Sequence, residues 1–150
     1  MPWDVEFFED DEGRQPARTF IERLTPDKRA ALIAAIELIL AVRGPDVCKS
    51  EFGKALGHGL FEFRVRHDEA TITRRAGVEP SAKSGRSDVL LRMFFCVYGE
   101  RVVLLLGGYD KGADPAARRQ SREIEAARKR LRSFKLRQER RATGRRRRRT

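Results

Sequence analysis

Two apolar runs separated by one tight turn constrain this chain more than any other feature. Residues 89–98 (VLLRMFFCVY) and 101–108 (RVVLLLGG) are joined by Gly99-Glu100. A two-residue connection containing glycine between two such runs predicts a β-hairpin. This hairpin is expected to form the sheet centre. The rest of the chain must supply the elements that pack with it.

The flanking segments can do so. Trp3 to Phe8 alternates, with Trp3, Val5 and Phe7 on one face and Asp4 and Glu6 on the other, which predicts a short strand. Pro16 opens a short helix with Ala17, Phe20, Ile21 and Leu24 at helical spacing. Thr25-Pro26 then gives an N-cap followed by proline at the first helical position, and Gly44-Pro45 ends the second helix after Arg43. Its buried stripe is Leu32, Ile33, Ile36, Ile39 and Leu40. Residues 60–66 (LFEFRVR) alternate again: Phe61, Phe63 and Val65 face the core, while Glu62, Arg64 and Arg66 face the other way. Residues 67–87 are poor in apolar side chains and are expected to form a long mobile loop. Asp114-Pro115 begins a last helix with a thin stripe of Ala117, Ile124, Ala127, Leu131 and Phe134.

The expected order is β-α-α-β-β-β-α. It predicts an α+β domain, a small antiparallel sheet with a mixed edge, an N-terminal helical hairpin packed on one face and a C-terminal helix. At 150 residues the chain fits one domain, here residues 1–134, plus a tail. The tail, 135–150, carries nine Lys/Arg and one Glu, so it holds +8 of the chain's +11 and leaves +3 for 1–134. With nothing left to bury beyond Phe134, it is expected to be disordered. Such charge suggests a polyanionic partner.

Several classes are disfavoured. Cys48 and Cys96 are the only cysteines, with no disulfide framework or zinc spacing, and two free thiols fit a reducing compartment. The first residues, MPWDVEFFEDDEG, are acidic and lack the apolar core of a signal peptide. The longest aliphatic run, Val102 to Leu106, is far short of the roughly 20 residues that span a bilayer. A soluble cytoplasmic protein without membrane contact is expected. No metal site and no cofactor are implied.

The chemistry-bearing residues gather at residues 54–66. Glu62, Arg64 and Arg66 form a row spaced about 6.6–6.8 Å per pair. Lys54 and His58 enter from the preceding loop. Arg92 stands inside an apolar strand, where an arginine must reach a surface, an anion or a carboxylate. If that strand pairs with 60–66, Arg92 joins the row. On pattern alone such a row is most often the solvated face of an antiparallel sheet, held by cross-strand ion pairs, and His58 between two glycines is most often a turn residue. The functional reading is a basic face that binds a phosphodiester. Arg64, Arg66 and Arg92 clamp phosphate oxygens, His58 or Glu62 takes a proton, and Tyr109 or Lys111 gives or stabilises one.

The segment KALGHGLFEFRVR resembles the K-x-L-x-x-G-L-(Y/F)-E-(L/F)-R signature of the HigB/phage Gp49-like branch of the RelE/ParE toxin superfamily. The resemblance covers roughly residues 3–132. It extends to an Arg-bearing apolar strand, LLRMFFCVY, and to an aliphatic strand ending in an aromatic and a lysine, VVLLLGGYDKGADP. It implies a RelE-like fold and a toxin of a type II toxin–antitoxin module. The implied activity is ribosome-dependent, metal-independent cleavage of mRNA by ribose 2′-OH attack, inhibiting translation. The implied partners are the ribosome, mRNA and a small antitoxin, expected to carry a helix-turn-helix domain. Lys54 matches the signature lysine, Glu62 and Arg64 its E-x-R pair, and Arg92 the strand arginine. Tyr109 and Lys111 stand where the family has an aromatic and lysines. Gly112 falls at the family's second lysine, Leu91 at an aromatic, and the loop at 67–87 is longer than in the family.

Two other functions fit the same residues. The ParE-like branch keeps the fold but inhibits DNA gyrase by protein contact. Alternatively, the arginine tail alone makes the chain a basic nucleic-acid-binding protein.

Overall fold

The computed structural model describes residues 1–77 and 89–149. Five strands form one mixed sheet in the order β1-β5-β4-β3-β2. They are β1 (Asp4–Phe7), β2 (Gly53–Gly57), β3 (Leu60–Val65), β4 (Leu91–Tyr98) and β5 (Val102–Asp110). The expected hairpin of β4 and β5 is antiparallel and central, and β1 pairs in parallel along β5 at one edge. The architecture is α+β with helices packed on the sheet and a C-terminal helix.

One face is covered by α1 (Pro16–Arg23) and α2 (Pro26–Ala35). α2 runs on through wider π turns at Ile36–Leu40 into α3 (Ala41–Arg43). Gly44 ends this run at φ +55, a conformation that favours glycine. A Cβ there would collide with the indole of Trp3, and Trp3 N–H donates to the Ala41 carbonyl at 2.6 Å. β1 is thereby fastened to the end of the helical run. Leu32, Phe63, Met93, Phe95 and Leu105 lie in the core on this side.

The other face has a core of its own. α5 (Ala117–Arg149) lays Ala127 and Leu131 against Leu60, Phe94, Leu104 and Leu106. Of the thin stripe read from the sequence, Ile124, Ala127, Leu131 and Phe134 seat the helix, whereas Ala117 is exposed. Gly108 lets the layers close, since a Cβ there would lie 2.7 Å from the Arg92 carbonyl and 2.8 Å from the Phe20 ring.

Three expectations are corrected. Residues 54–57 belong to strand β2 rather than to a loop, and β2 closes onto β3 through a two-residue turn. The span 67–77 is not loop throughout: α4 (Glu69–Arg75) forms there, capped by Asp68, whose carboxylate accepts from the Thr71 N–H at 2.9 Å. Ile72 is buried and α4 lies against α2, so one apolar residue and a cap overrode the polar composition. The remainder of the expected loop, 78–87, lies outside the described residues. Finally, α5 continues through residues 135–149 where a disordered tail was expected; Thr150 lies outside the described residues. Arg137 ties the first turn of that stretch to the body, with its guanidinium 5.1 Å from the Phe8 ring centre and Nε 3.7 Å from Asp11. Beyond it, elongating an existing helix costs little for a residue type with good helix propensity.

The helix also rearranges the charge map. α5 holds sixteen Lys/Arg and three Asp/Glu, a net +13, whereas the whole chain is +11, so everything outside α5 sums to −2. Its 33 residues span about 50 Å. Among the described residues, no helix is long and apolar enough to cross a membrane.

Candidate functional site

The register of the three inner strands creates the site. Arg64 pairs with Arg92, and Arg92 pairs with Tyr109, so the three share one face in a row across β3, β4 and β5. One row along, Lys54 pairs with Glu62 on the same face. Like charges directly opposite repel. The carboxylate of Glu62 offsets this, with one oxygen 2.7 Å from Arg64 Nε and 3.6 Å from Arg92 Nε. Its other oxygen accepts from Gln120 Nε2 of α5 at 3.5 Å.

This row is not a solvated face. Glu62 is 0% exposed, Arg92 2% and Tyr109 1%, whereas the Arg64 side chain keeps 22%. The first turns of α5 form the roof. Arg119 lies 5.4 Å over the Tyr109 ring and is itself held by Glu123 at 2.9 Å and Asp114 at 3.4 Å. A cavity of about 280 Å³ opens beside Tyr109, with Phe20, Lys28 and Arg119 in its walls.

Burial sets the electrostatics. It lowers the Arg92 pKa, opposed by Glu62 and aided by the charges of Arg64 and Arg66. A guanidinium nonetheless stays protonated in proteins. Burial and the Glu62 charge raise the Tyr109 pKa, keeping a neutral O–H. Burial, then the Arg92 charge, lowers the Lys111 pKa. Arg92 Nε and Tyr109 Oη are buried without a hydrogen-bond partner among the described residues. A buried donor left unpaired costs about 1–3 kcal/mol. Arg92 Nε offsets part of it through the Glu62 carboxylate 3.6 Å away, and Tyr109 lines the small cavity.

The candidate residues separate into two groups. Glu62, Arg64, Arg92 and Tyr109 are brought together, with Lys111 and Arg66 close enough to act on their charges. His58 is not among them. It occupies the β2–β3 turn at φ +54, followed by Gly59 at φ +83, the pair of positive values that a primed two-residue turn requires. Leu60 to Arg64 alone separates it from the row by roughly 13 Å of strand. Lys54 is exposed on edge strand β2, at the rim. Asp110 points to the opposite face, where Lys28 of α2 meets it at 2.5 Å.

Sequence reasoning missed the roof: Arg119, Gln120 and Glu123. The available signal was the i,i+4 spacing of Arg119 and Glu123 on a helix whose apolar stripe faces the sheet.

The arrangement sets fixed positive charge, a buried carboxylate and a neutral phenol side by side on one sheet face, with the small cavity reaching the phenol alone among them. That set can bind an anion, stabilise added negative charge on it and exchange protons with it. No group of three His, Cys, Asp or Glu among the described residues is placed to hold a metal ion. No family model matches the chain, and no curated protein matches it.

Proposed function

We propose that this protein is an endoribonuclease of the type II toxin kind, cutting mRNA on the ribosome and held in check by a small antitoxin with a helix-turn-helix domain. The observation that carries the reading is the Arg64–Arg92–Tyr109 row bridged by Glu62, since those residues occupy the signature positions of the family the sequence resembles. In the reaction, the ribose 2′-oxygen attacks the adjacent phosphorus and the bond to the 5′-oxygen breaks. A 2′,3′-cyclic phosphate and a 5′-hydroxyl result. Glu62 accepts the 2′-OH proton, and Tyr109 donates to the departing 5′-oxygen. Arg64, Arg92 and Lys111 hold the phosphate and stabilise its transition-state charge. Arg64, Lys111 and Arg66 meet the phosphate first. Contact with Glu62, Arg92 and Tyr109, all buried, requires the first turns of α5 to move.

A second reading has one observation in its favour. Glu62 and Arg92 are so enclosed that they suit a fold retained without nuclease activity, as in gyrase inhibition by protein contact.

The test is a reconstituted translation reaction with cut sites mapped by primer extension. Naked RNA and a DNA-supercoiling reaction with gyrase run beside it. Arg64→Ala and Lys111→Ala accompany Arg92→Ala, because the first two are not fully buried and should fold. Cuts confined to ribosome-bound message, lost in all three variants, support the nuclease. Intact message with arrested supercoiling supports the inhibitor and sinks the nuclease.

A further inference from the structure

One side of α5 is bordered by cavities that share walls in sequence. The cavity beside Tyr109 shares Phe20, Arg23 and Arg119 with a larger one of about 1130 Å³ between α1 and α5. That one shares Lys129 and Ser133 with a third of about 300 Å³, and the third shares Leu136 and Arg140 with a fourth reaching Gly144. Together they make one groove from the Tyr109 opening toward the far end of α5. From Arg119 to Gly144 its length is about 37 Å at the rise of an α-helix.

The groove's charge is unbalanced. Its acids near α1 are already engaged, Asp10 with Arg14 at 2.9 Å and Glu22 with Arg18 at 3.0 Å. Asp11 faces Arg137. Arg23, Lys129, Arg130, Arg132 and Arg140 also line it, and none has a carboxylate partner among the described residues. Glu139, in the fourth cavity, is the acid left over against these five. Lys129, Arg132 and Arg140 lie three and eight residues apart and so share one helix face. Arg130 is half-buried across β5 with a single carbonyl partner, Leu106 O at 3.0 Å. The Glu123 and Asp10 carboxylates act on it only from beyond ion-pair distance, so its remaining donors can still take an anion from outside. Phe20 adds an aromatic wall at the Tyr109 end.

The geometry points to this groove as the track of a single-stranded RNA, its phosphates on the α5 cations and its scissile linkage delivered to Tyr109. A positive groove with aromatic walls that follows a backbone for about 4–16 nucleotides is the recurrent form of such sites. The inference rests on the nuclease reading for the identity of the polymer, but the groove can be tested without cleavage.

The probe is a fluorescein-labelled 12-nucleotide RNA, 2′-O-methylated so that it cannot be cut, titrated with full-length protein by anisotropy at several salt concentrations. K129E/R132E/R140E should weaken binding at least tenfold and reduce the salt slope by about 2, near 0.7 per lost phosphate contact. R145E/R147E/R149E, the same change in net charge placed past Gly144, should cost less than threefold. Helical content by circular dichroism should match wild type in both. Equal losses in the two variants would overturn the groove, because net charge alone would then explain binding. Displacement of the RNA by polyglutamate at equal charge concentration would also overturn it, in favour of an acidic peptide. If wild type binds the probe through the groove yet leaves message intact on ribosomes, the nuclease reading fails and the groove stands. If wild type cuts message while K129E/R132E/R140E binds the probe normally, the groove fails and the nuclease stands.

Discussion

Arg64 and Arg92 face each other across β3 and β4, and a single oxygen of Glu62 lies within ion-pair reach of both. Two like charges are thus fixed side by side under α5 by one buried carboxylate. Removing that carboxylate leaves Arg92 buried and uncompensated. Breaking a buried pair in this way costs about 3–5 kcal/mol. Glu62→Gln should therefore lower the urea midpoint strongly, and Glu62→Gln with Arg92→Met should recover most of the loss. An unchanged midpoint in the single variant would mean the carboxylate is not the counter-charge.

The Tyr109 hydroxyl behaves in the opposite way. It is buried with no hydrogen-bond partner among the described residues, while its ring stacks with Phe94 at 6.2 Å. Tyr109→Phe should leave stability unchanged or raise it by about 1 kcal/mol, since it removes an unsatisfied group and keeps the ring. Cleavage should nonetheless fall by about 10²-fold or more if the phenol protonates the leaving oxygen. Thermal melting and cleavage rate, measured on one preparation, separate the two roles. A loss of both together would make the hydroxyl structural.

Alkaline pH should loosen the α5 side of the sheet. Cys96 is buried there, and burial pushes its thiol up to about 11 from 9.0. The folded state therefore holds this proton more tightly than the unfolded chain. Its contribution is complete below pH 9 and is lost as pH rises toward 11, up to about 3 kcal/mol for a two-unit difference. Tyr98, pushed up to about 12 by its hydrogen bond to Glu6, acts in the same direction from a more exposed position. Urea midpoints from pH 8 to 11 should fall, and Cys96→Ala should flatten that fall. An identical slope in the variant would assign the loss to other groups.

Gly108→Ala tests the close approach of α1 to β5. The new methyl meets the Arg92 carbonyl and the Phe20 ring, and the carbonyl is backbone that cannot swing aside. Overpacking of this kind costs about 1–3 kcal/mol. Chemical denaturation should show that loss, with near-ultraviolet dichroism reporting displacement of the aromatic groups. A neutral result would mean α1 rides more loosely on the sheet than the contacts imply.

The alternation in residues 60–66 was enough to put Glu62, Arg64 and Arg66 on one face, because strand period is a local property. Arg92 joined them only on the condition that its strand pairs with theirs, and that pairing joins residues far apart in the chain. Their burial was not legible. It depends on which face α5 covers, and a stripe as thin as Ile124, Ala127 and Leu131 names the helix's own inner side but not its landing place. β2 escaped notice because its five residues include two glycines and make only an edge. α4 depends on Ile72 finding α2, a contact between residues far apart in the chain. His58 was legible in its ordinary role, since a residue between two glycines suits a two-residue turn.

The division of charge between α5 and the rest has a kinetic consequence. A +13 rod on a body of −2 makes the molecule a strong electric dipole, with the positive pole displaced toward one end. In the field of a polyanion such a molecule rotates before it lands. Encounters are biased toward those in which the rod arrives first and the body trails, so capture is fast and strongly dependent on ionic strength. Orientation on arrival is thus set by the field during approach, before any contact forms.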